Sequence, residues 1–446
     1  MKKYIGRYSK YIRPLTILFD VSVVNLLFYF FFDSHLLTVS EFLVISLFWI
    51  VCSFITSFYE VYRFTKLIQI ADKSLKQFGL FAVFSFAYVG FVSKSFSNIE
   101  LVKYLISSFV IIVFVKYTIF NALKLFRKYY KGNHRRVVVI GKDVLSNQLA
   151  NFFIKETDYG YSLVNHFKNN DNVRDVITYC SENNIDEIYF SLEDTTNSEL
   201  NKYINFADNN FKTLKYIPTK TEMLSNAVNV HYYGFIPIIP SRKFPLQKPF
   251  NKFIKRTFDL IVSSLVIVFV LSWLVPLIGL LIKLESKGPI FFNQIRNGLY
   301  YNEFNCFKFR SMYVNNEAHT IQATKNDKRI TKIGKFLRKS SLDEMPQFFN
   351  VFLGDMSVCG PRPHMVSMTN QYERVVTKFR LRHYIKPGIT GMAQTHGCRG
   401  EIENRRDIIN RVKYDIFYLE NWTLLLDLKI VYLTVKNAVL GDKKAY

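Results

Sequence analysis

The sequence predicts three parts: an α-helical membrane bundle, an α/β domain with parallel strands, and a mixed α/β domain that carries a re-entrant membrane helix. Three observations support this organisation. Four apolar runs fill the N-terminal part, a buried-strand pattern follows them, and a fifth apolar run is flanked on both sides by basic residues. The length of 446 residues leaves room for two or three domains.

The chain is basic and also rich in apolar residues. Lys and Arg together number 59 against 35 Asp and Glu, a formal net charge of +24, and 49% of the residues are hydrophobic. Such an excess indicates a polyanionic partner, which can be nucleic acid, anionic lipid or a phosphorylated substrate. The five cysteines stand at no metal-ligand or redox spacing, so we expect reduced thiols.

Each of the four N-terminal apolar runs is close to the ~20 residues that a membrane-spanning helix needs. Asp20, inside the first run, is expected to serve helix packing, and Lys116, near the end of the last, can extend its amine to the interface. Bulky residues follow the first run, so we expect it to be retained, not cleaved as a signal peptide. The runs lie near Leu15–Phe32, Phe42–Tyr59, Leu75–Val92 and Leu101–Phe120, within a predicted membrane region 1–130.

Basic residues alternate between the loops of this region. Five Lys or Arg residues precede the first run, none lies in loop 33–41, and four lie in the loop after the second run. Cytoplasmic loops carry the excess of Lys and Arg, so both ends of the bundle are expected in the cytoplasm. The rest of the chain then begins on the cytoplasmic side.

Residues 131–225 show a βαβ pattern. Val137–Gly141 is typical of a buried parallel strand that enters a tight turn, and Ile185–Leu192 and the segment near Leu214 are further strands. This pattern predicts a Rossmann-like domain. The dinucleotide fingerprint needs further glycines, and the turn contains Gly141 alone. We therefore expect a domain without a nucleotide, serving regulation or dimerisation, with ligand binding left open.

A stretch rich in Pro and Tyr, residues 226–250, is interpreted as a linker along a surface. The fifth apolar run, Leu260–Ile282, follows it and is long enough to span a membrane. A crossing would place one of its two basic flanks outside, against the positive-inside tendency. Pro276 lacks a backbone donor and clashes with the carbonyl of Ser272, which favours a break. The sequence thus predicts a re-entrant helix at about 255–284; a straight spanning helix is the alternative.

Residues 251–446 place many Gly, Pro, Arg and Lys residues at turns, as in phosphate-binding sites. Within SSLDEMPQFFNVF, a helix with Pro346 in its first turn would begin near Asp343. The Asp343 carboxylate would then lie by unpaired N–H groups and the positive end of the helix dipole, which keeps it ionised. A capping box from Ser341 to Glu344 would put Pro346 one turn too deep. A plain capping role for Asp343 is the simpler alternative.

The surroundings of Asp343 favour chemistry over capping. Glu344 follows it directly, and five basic residues lie between 329 and 339. A carboxylate that meets a diphosphate needs its negative charge offset, by Arg and Lys or by Mg²⁺. Glu344 is the expected Mg²⁺ ligand, because this ion takes one or two carboxylates plus substrate oxygens. The histidines at 364, 383 and 396 show no ligand spacing and are assigned no metal.

From about Lys255 to the C-terminus, the chain resembles the bacterial sugar transferase family, the monotopic polyprenyl-phosphate phosphoglycosyl transferases. The motifs KRTFD, GPIFFNQIRNG, KFRSM, SLDEMPQ, GDMS, GPRP and KPGITG occur in order, and RVKYDIFYLENWTLLLDLKI resembles the closing segment. The membrane spans and the Rossmann-like domain are similar to those of large members. Such members, undecaprenyl-phosphate glucose or galactose phosphotransferases among them, initiate the synthesis of exopolysaccharide, capsule, O-antigen and lipopolysaccharide.

The resemblance implies roles for individual residues. Asp343 matches the nucleophile, Glu344 its partner tied to magnesium, and Pro276 the break in the membrane helix. Lys308 and Arg310 could instead form a solvated strand face, and Arg411 and Asp415 could be a plain helical pair at i, i+4. The residues that match substrate- or phosphate-binding positions are Lys308, Arg310, Arg338, Arg362, Gln294, Arg296, Asp415 and Arg411.

The implied activity is transfer of a sugar 1-phosphate from a UDP-sugar to undecaprenyl phosphate, through a covalent aspartyl intermediate and with release of UMP. Mg²⁺ is the implied cofactor, and the implied location is the bacterial inner membrane with the catalytic domain in the cytoplasm. A homodimer is expected, and nucleic acid is not expected as a partner because the basic residues form no single stripe. A polyprenyl-phosphate glycosyltransferase that releases UDP and a non-catalytic membrane regulator or scaffold are the alternatives.

Overall fold

The computed structural model describes most of the chain, and its contacts divide the chain into two compact units. One unit holds Met1–Thr196 with Leu214–Pro240, and the other holds Asn197–Thr213 with Ser241–Tyr446. The described residues are 9–32, 38–61, 63–92, 97–168, 171–193, 196–218, 230–242, 244–315, 327–398, 400 and 404–440.

The first unit begins with the four predicted apolar helices, which are confirmed as helices. They are α1 (Ser9–Phe31), α2 (Val39–Ile55), α3 (Leu67–Val92) and α4 (Asn98–Tyr130). By length and composition α1, α3 and α4 can each cross a membrane, while α2, with 17 residues, is at the short end of the spanning range. These apolar helices associate the protein with a membrane.

A polar tie crosses the core of this bundle. The Tyr59 hydroxyl donates to Asp20 at 2.8 Å, and the Trp49 indole N–H donates to the Tyr59 hydroxyl at 2.9 Å. Asp20 and Trp49 are both buried. The carboxylate therefore joins α1 to α2 and the loop after it, which is the packing contact expected of it.

A mixed six-stranded sheet completes the first unit. Its strands are β1 (Arg135–Ile140), β2 (Tyr161–Phe167), β3 (Glu187–Ser191), β4 (Thr213–Ile217), β5 (His231–Tyr233) and β6 (Ile236–Pro240), in the spatial order β2-β1-β3-β4-β6-β5. β1 is parallel to β2 and β3, and β6 is antiparallel to β4 and β5. The helices α5 (Val144–Lys155) and α6 (Val173–Glu182) connect the first three strands, while α7 (Asn197–Asn209) belongs to the second unit.

Side chains of the protein occupy the space at the turn after β1. Gly141 has φ 147°, and a Cβ at this position would lie 2.6 Å from the Cβ of Ser191. The Asp143 carboxylate accepts from the backbone N–H of Ser146 at 3.2 Å and so caps α5. A negative charge of the chain thus occupies the helix N-terminus at which dinucleotide-binding domains hold a diphosphate.

The predicted linker at 226–250 differs from the structure. Residues 226–229 lie outside the described part, but β5 and β6 add two strands to the sheet at 231–240. Tyr233, Ile236 and Ile238 are buried in the core of the sheet domain. The prolines indicated a linker, but burial of these apolar side chains favours a hairpin at the edge.

The second unit begins with a 37-residue helical stretch, Pro249–Glu285. It consists of α8 (Pro249–Val266), a π-helical turn (Ile267–Leu271) and α9 (Ser272–Glu285). The predicted interruption at Pro276 is not seen in the backbone, which stays helical there. The irregularity lies upstream, where the Ser272 N–H bonds the carbonyl of Ile267, the i→i−5 pattern of a π turn. A local π adjustment lets a helix accommodate a proline without a gap.

The rest of the second unit is a mixed α/β domain. A hairpin of β7 (Phe291–Asn297) and β8 (Glu303–Phe309) is followed by α10 (Lys332–Ser340), a 3₁₀ turn (Leu342–Glu344) and α11 (Gln347–Leu353). β9 (Ser357–Cys359) pairs in parallel with β10 (Gly388–Thr390), and between them lie α12 (Val366–Val375) and a 3₁₀ segment (Phe379–Tyr384). The chain continues through α13 (Met392–Thr395), α14 (Arg405–Asn421) and α15 (Leu424–Leu440).

The start of the Pro249–Glu285 stretch is fixed to this domain by buried polar contacts. The Lys255 amine donates to Asp427 of α15 at 2.7 Å and to the Cys359 carbonyl at 3.0 Å. The Asp259 carboxylate accepts from the hydroxyl of Ser357 at 2.9 Å. Charged groups that lie almost out of water are stable only when paired in this way. We call the Lys255–Asp427 contact the anchor pair.

The end of the same stretch is fixed to the same domain. Glu285 accepts from the backbone N–H groups of Lys332 at 2.6 Å and of Ile333 at 2.9 Å, the first residues of α10. Its middle packs on the domain through Leu271, Leu274 and Ile278. The side turned away exposes large apolar residues: Ile261, Leu265, Val268, Phe269, Trp273, Leu277, Leu280, Leu281 and Leu284.

Candidate active site

Asp343 lies at the junction of α10 and α11. Ser341 ends α10 in the left-handed region with φ 58°, and the chain then makes the 3₁₀ turn Leu342–Glu344. The helix that was predicted to start at Asp343 starts at Gln347, with Pro346 at its N-cap position. The difference arises because the chain first makes a tighter turn, and this turn buries Asp343 to 8% exposure.

Glu344 is held by two cations. Arg362 donates from Nη1 to Oε2 at 2.9 Å and from Nη2 to Oε1 at 2.6 Å, and the Lys308 amine donates to Oε1 at 2.7 Å. Lys308 comes from β8 and Arg362 from the loop after β9, so distant parts of the sequence meet here. The two cations hold the pKa of Glu344 well below its usual range, despite the opposing effect of burial. The capping box between Ser341 and Glu344 is therefore not made by this side chain.

The pKa of Asp343 is shifted in the opposite direction to that of its neighbour. Burial raises the pKa of Asp343 to about 6, the Glu344 charge adds to this effect, and Lys308, Arg338 and Arg362 oppose it. We expected unpaired N–H groups and the dipole of a helix that starts near Asp343 to keep this carboxyl ionised. The helix starts only at Gln347, and burial is the main influence on the pKa of Asp343. Two adjacent carboxyl groups whose pKa values are pushed apart are characteristic of functional sites.

Arg338 and Arg310 occupy different places. Arg338 donates from Nε to the Ser311 hydroxyl at 3.1 Å, and its charge acts on Asp343. Arg310 is buried and donates to the carbonyls of Ser286 at 2.8 Å and Lys287 at 2.9 Å, at the end of α9. β8 ends at Phe309, so Arg310 does not continue the face of Lys308. The structure thus brings Arg338 to the carboxylate pair and places Arg310 as a cap of the apolar helix.

Gln294 and Arg296 support the loop that carries Arg362. Arg296 donates from Nη1 to the Pro363 carbonyl at 2.7 Å and from Nη2 to the Gln294 side-chain oxygen at 2.7 Å. Gln294 also contacts the Met365 sulfur at 2.9 Å. Both residues therefore lie behind the GPRP motif and fix its backbone.

Arg382, which the sequence analysis did not select, connects several predicted residues. It donates to the Arg362 carbonyl at 2.8 Å and contacts His364 Nδ1 at 2.9 Å, and its ion pair with Asp415 has an N–O distance of 3.0 Å. Among the described residues, the ion pair of Asp415 is thus with Arg382 and not with Arg411. Arg411 donates to the Gly400 carbonyl at 2.7 Å. The available signal was the alternation of basic and apolar residues in FRLRHY.

The imidazole of His364 is expected to be neutral. Burial and the neighbouring arginines, Arg382 first, hold the pKa of His364 well below its usual range. A neutral ring can accept a hydrogen bond from Arg382. A small pocket lies beside this network, lined by Arg362, His364, Arg382, Gly391, Ala393, Gln394, Cys398, Arg411 and Asp415. Three arginines against one carboxylate suit an anionic group.

The carboxylate pair is compatible with a magnesium ion that is shared with a substrate. In the described part of the chain, no group of three or more His, Cys, Asp and Glu could hold a metal on its own. Glu344 receives three hydrogen bonds on its two oxygens. A carboxylate has about four acceptor positions, so one remains. Mg²⁺ commonly uses one or two carboxylates and completes its shell with phosphate oxygens and water.

Comparison with known proteins gives a consistent result. The family described as bacterial sugar transferase matches residues 250–441. The UDP-glucose:undecaprenyl-phosphate glucose-1-phosphate transferase of Klebsiella pneumoniae is 36% identical over 326 residues, 70% of each chain. The protein of the same name from Escherichia coli K12 is 33% identical over 71% of this chain and 70% of its own length.

A relative with another sugar in its name is also similar. The UDP-N-acetylgalactosamine-undecaprenyl-phosphate N-acetylgalactosaminephosphotransferase of Aeromonas hydrophila is 40% identical over 198 residues, 44% of this chain and 46% of its own. The sugars in the names of these relatives differ. The chain is therefore a phosphoglycosyl transferase and belongs to the bacterial sugar transferase family.

Proposed function

We propose that the enzyme transfers a sugar 1-phosphate from a UDP-sugar to undecaprenyl phosphate and releases UMP. The observation that carries this proposal is a buried Asp343 with a raised pKa of about 6, beside a Glu344 that accepts hydrogen bonds from Lys308 and Arg362. The relatives named above act on undecaprenyl phosphate according to their names. The product would be the first lipid-linked intermediate of an exopolysaccharide, capsule or O-antigen.

The first step is a displacement at phosphorus. A carboxylate oxygen of Asp343 attacks the β-phosphorus of the UDP-sugar, the new P–O bond forms, and UMP leaves with the bridging oxygen and its electron pair. The result is a mixed anhydride of the sugar phosphate and Asp343, the kind of intermediate that carboxylate nucleophiles form. Lys308, Arg338 and Arg362 lie where they can offset the charge of the diphosphate.

The second step regenerates the carboxylate. A phosphate oxygen of undecaprenyl phosphate attacks the same phosphorus, and Asp343 leaves as the free carboxylate. Glu344 would hold Mg²⁺, which, when bound, neutralises charge on the phosphate oxygens. The positions of Arg310, Gln294 and Arg296 favour a supporting role for these residues.

Contacts at the two ends of the Pro249–Glu285 stretch support the proposed membrane placement. Both ends bond to one domain of one compact unit, which a straight crossing would have to separate across the bilayer. We therefore favour a re-entrant segment with the domain on the cytoplasmic face, in agreement with the basic flanks. The carboxylate pair then lies at the interface, where a water-soluble nucleotide sugar and a lipid phosphate can both reach it.

The middle domain is proposed to be Rossmann-like and structural. The Asp143 carboxylate at the start of α5 disfavours an anion at that position, in agreement with the single glycine of the turn. Assembly into a homodimer stays a prediction that light scattering of the detergent-solubilised protein can test.

Product analysis tests the reaction. The purified full chain is incubated with undecaprenyl phosphate, Mg²⁺ and a panel of UDP-sugars, and the released nucleotide is identified by chromatography. We expect UMP, with one sugar preferred over the others. Release of UDP would establish the glycosyltransferase alternative, and absence of turnover with every sugar would favour a non-catalytic scaffold.

The raised pKa of Asp343 predicts that the rate of the first step falls at acid pH. Below the pKa the carboxyl is protonated and cannot attack, so the rate of UMP release without acceptor should fall about tenfold per unit once the pH drops below about 6. A rapid-quench pH series measures this. Glu344→Gln removes the adjacent charge and should move the midpoint to lower pH. A wild-type rate that stays flat to the usual aspartate range would contradict the prediction.

Arg382 is predicted to position Arg362. Arg382→Lys keeps the charge, but an ammonium group cannot replace the planar guanidinium, which contacts the Arg362 carbonyl, His364 and Asp415 at the same time. Small displacements of a phosphate-binding group can cost ~10²-fold, so we expect kcat to fall by about 10- to 100-fold with little change in the acid limb of the pH profile. Arg380→Lys is the matched control, because Arg380 contacts the Asn209 carbonyl instead. Equal losses in both variants would assign Arg382 to general stability.

A further inference from the structure

The outer face of α10 has an unusual composition. Lys332, Lys335 and Lys339 are exposed on it, and Phe336 among them is 64% exposed. Successive helical residues are about 100° apart, so these four side chains fall within a sector of about 100°. None of the three lysines forms an ion pair with the described residues. We call these four residues the basic face.

The opposite side of α10 is built into the domain. Leu337 is 1% exposed and belongs to the core that also packs against the apolar helix. A Cβ at Gly334 would lie 1.9 Å from the Ser311 carbonyl oxygen, so the backbone of α10 approaches its neighbour closely. The orientation of the basic face is therefore fixed by packing.

The basic face begins where the exposed apolar surface of Pro249–Glu285 ends. Glu285, the acidic group at the start of α10, is bonded to the backbone N–H groups of Lys332 and Ile333. The preceding Leu284 is 74% exposed. If the exposed apolar surface lies in hydrocarbon, the start of α10, which is bonded to the last residue of that segment, would lie near the headgroups.

We propose that the basic face binds the anionic phospholipid surface of the membrane and so sets the depth of the carboxylate pair. Three lysines complement anionic headgroups, and an exposed phenylalanine among basic residues is typical of helices that lie in the interface. The same helix ends at Ser340, so that only Ser341 and Leu342 lie between it and Asp343. A shift of α10 relative to the headgroups therefore moves the nucleophile relative to the lipid phosphate.

The proposal commits to a lipid surface as partner. A protein partner would need an acidic surface to complement the three lysines. The basic face instead adjoins an exposed apolar surface, and the two together fit an anionic lipid surface. The alternative that the test must exclude is a helix face that is exposed to water and does not contact lipid. The proposal goes beyond the reaction itself, and its main readout needs no substrate.

The test places the full-length Phe336→Trp variant in nanodiscs whose lipids carry brominated acyl chains. One set contains phosphatidylcholine alone and the other phosphatidylcholine with phosphatidylglycerol. Quenching is read as the difference from the wild type, which corrects for the native tryptophans. We expect about twofold more quenching in the anionic discs, and high salt should remove the excess because it screens the lysines.

Two triple variants in the Phe336→Trp background distinguish an effect of the basic face from an effect of the overall positive charge. Lys332→Gln, Lys335→Gln and Lys339→Gln together should abolish the lipid and salt dependence. Arg374→Gln, Arg406→Gln and Lys413→Gln remove the same charge from exposed positions on α12 and α14 and should leave it unchanged. Equal quenching in both lipid compositions, or a dependence that survives the lysine variant, would overturn the proposal whether or not UMP release is observed.

Discussion

Asp343→Asn is expected to lower UMP release by at least about three orders of magnitude, with or without the lipid acceptor. The amide keeps the shape of the side chain but cannot form the acyl phosphate bond, and loss of a nucleophile typically costs this much or more. Intact-mass spectrometry provides the sharper measurement. Wild-type protein that is incubated with UDP-sugar alone should gain the mass of one sugar phosphate, and the variant should not.

The control for this experiment is Glu303→Gln. Glu303 is an exposed carboxylate at the start of β8, in the same domain and outside the cluster around Glu344. The same chemical change at that position should leave both UMP release and the adduct intact. An adduct that persists in Asp343→Asn would move the nucleophile to another residue and remove the mechanism proposed above.

Asp427→Ala is expected to destabilise the second unit by about 3–5 kcal/mol. The Asp427 carboxylate is fully buried and accepts hydrogen bonds from Lys255, from Tyr418 at 2.6 Å and from Trp422 at 3.1 Å. Its removal leaves the Lys255 ammonium buried without its nearest counter-charge, which is the costly way to break such a pair. The remaining carboxylate, Asp259, is 3.7 Å away and is already bonded to Ser357.

Thiol labelling followed by peptide mass spectrometry measures this loss. Cys359 is buried against Lys255, so opening of the anchor pair should raise its labelling rate by about a hundredfold or more. Cys180 in the first unit is the internal reference and should not change. Asp72→Ala, which breaks an exposed Lys76–Asp72 pair, should have almost no effect. An unchanged Cys359 rate in Asp427→Ala would show that the pair adds little.

The features that could be predicted from the sequence are local ones. Each apolar run and the strand pattern at Val137–Gly141 are contiguous segments whose composition determines their local preference. Asp343 and Glu344 could be selected as candidates because they are adjacent in the sequence. The charge balance of the candidate site could be foreseen only in part. Of the basic residues just before Asp343, Arg338 acts on its carboxyl, but Lys308 and Arg362 come from distant segments of the sequence. What could not be foreseen was the burial of Asp343, which depends on a 3₁₀ turn that only packing selects.

The misplaced residues share one cause. Lys308 and Arg310 are two residues apart, so on a continuous strand their side chains would lie on the same face. The strand ends between them, and Arg310 instead bonds to the backbone at the end of α9. Arg382 was missed because its partners, Arg362 and Asp415, lie far away in sequence. The hairpin at 231–240 was taken for a linker because the prolines outweighed the buried side chains between them.

The anchor pair also constrains how the protein is made. Asp427 follows Lys255 by 172 residues. At about 5–20 residues per second, the ribosome needs on the order of 10–30 s to supply it after the lysine has emerged. Throughout that interval Lys255 is without the carboxylate that pairs with it in the folded protein. The start of the apolar helix can therefore reach its final position only after the C-terminal helix has been translated. Nascent chains that stop before α15 should therefore be the ones that membrane quality control removes.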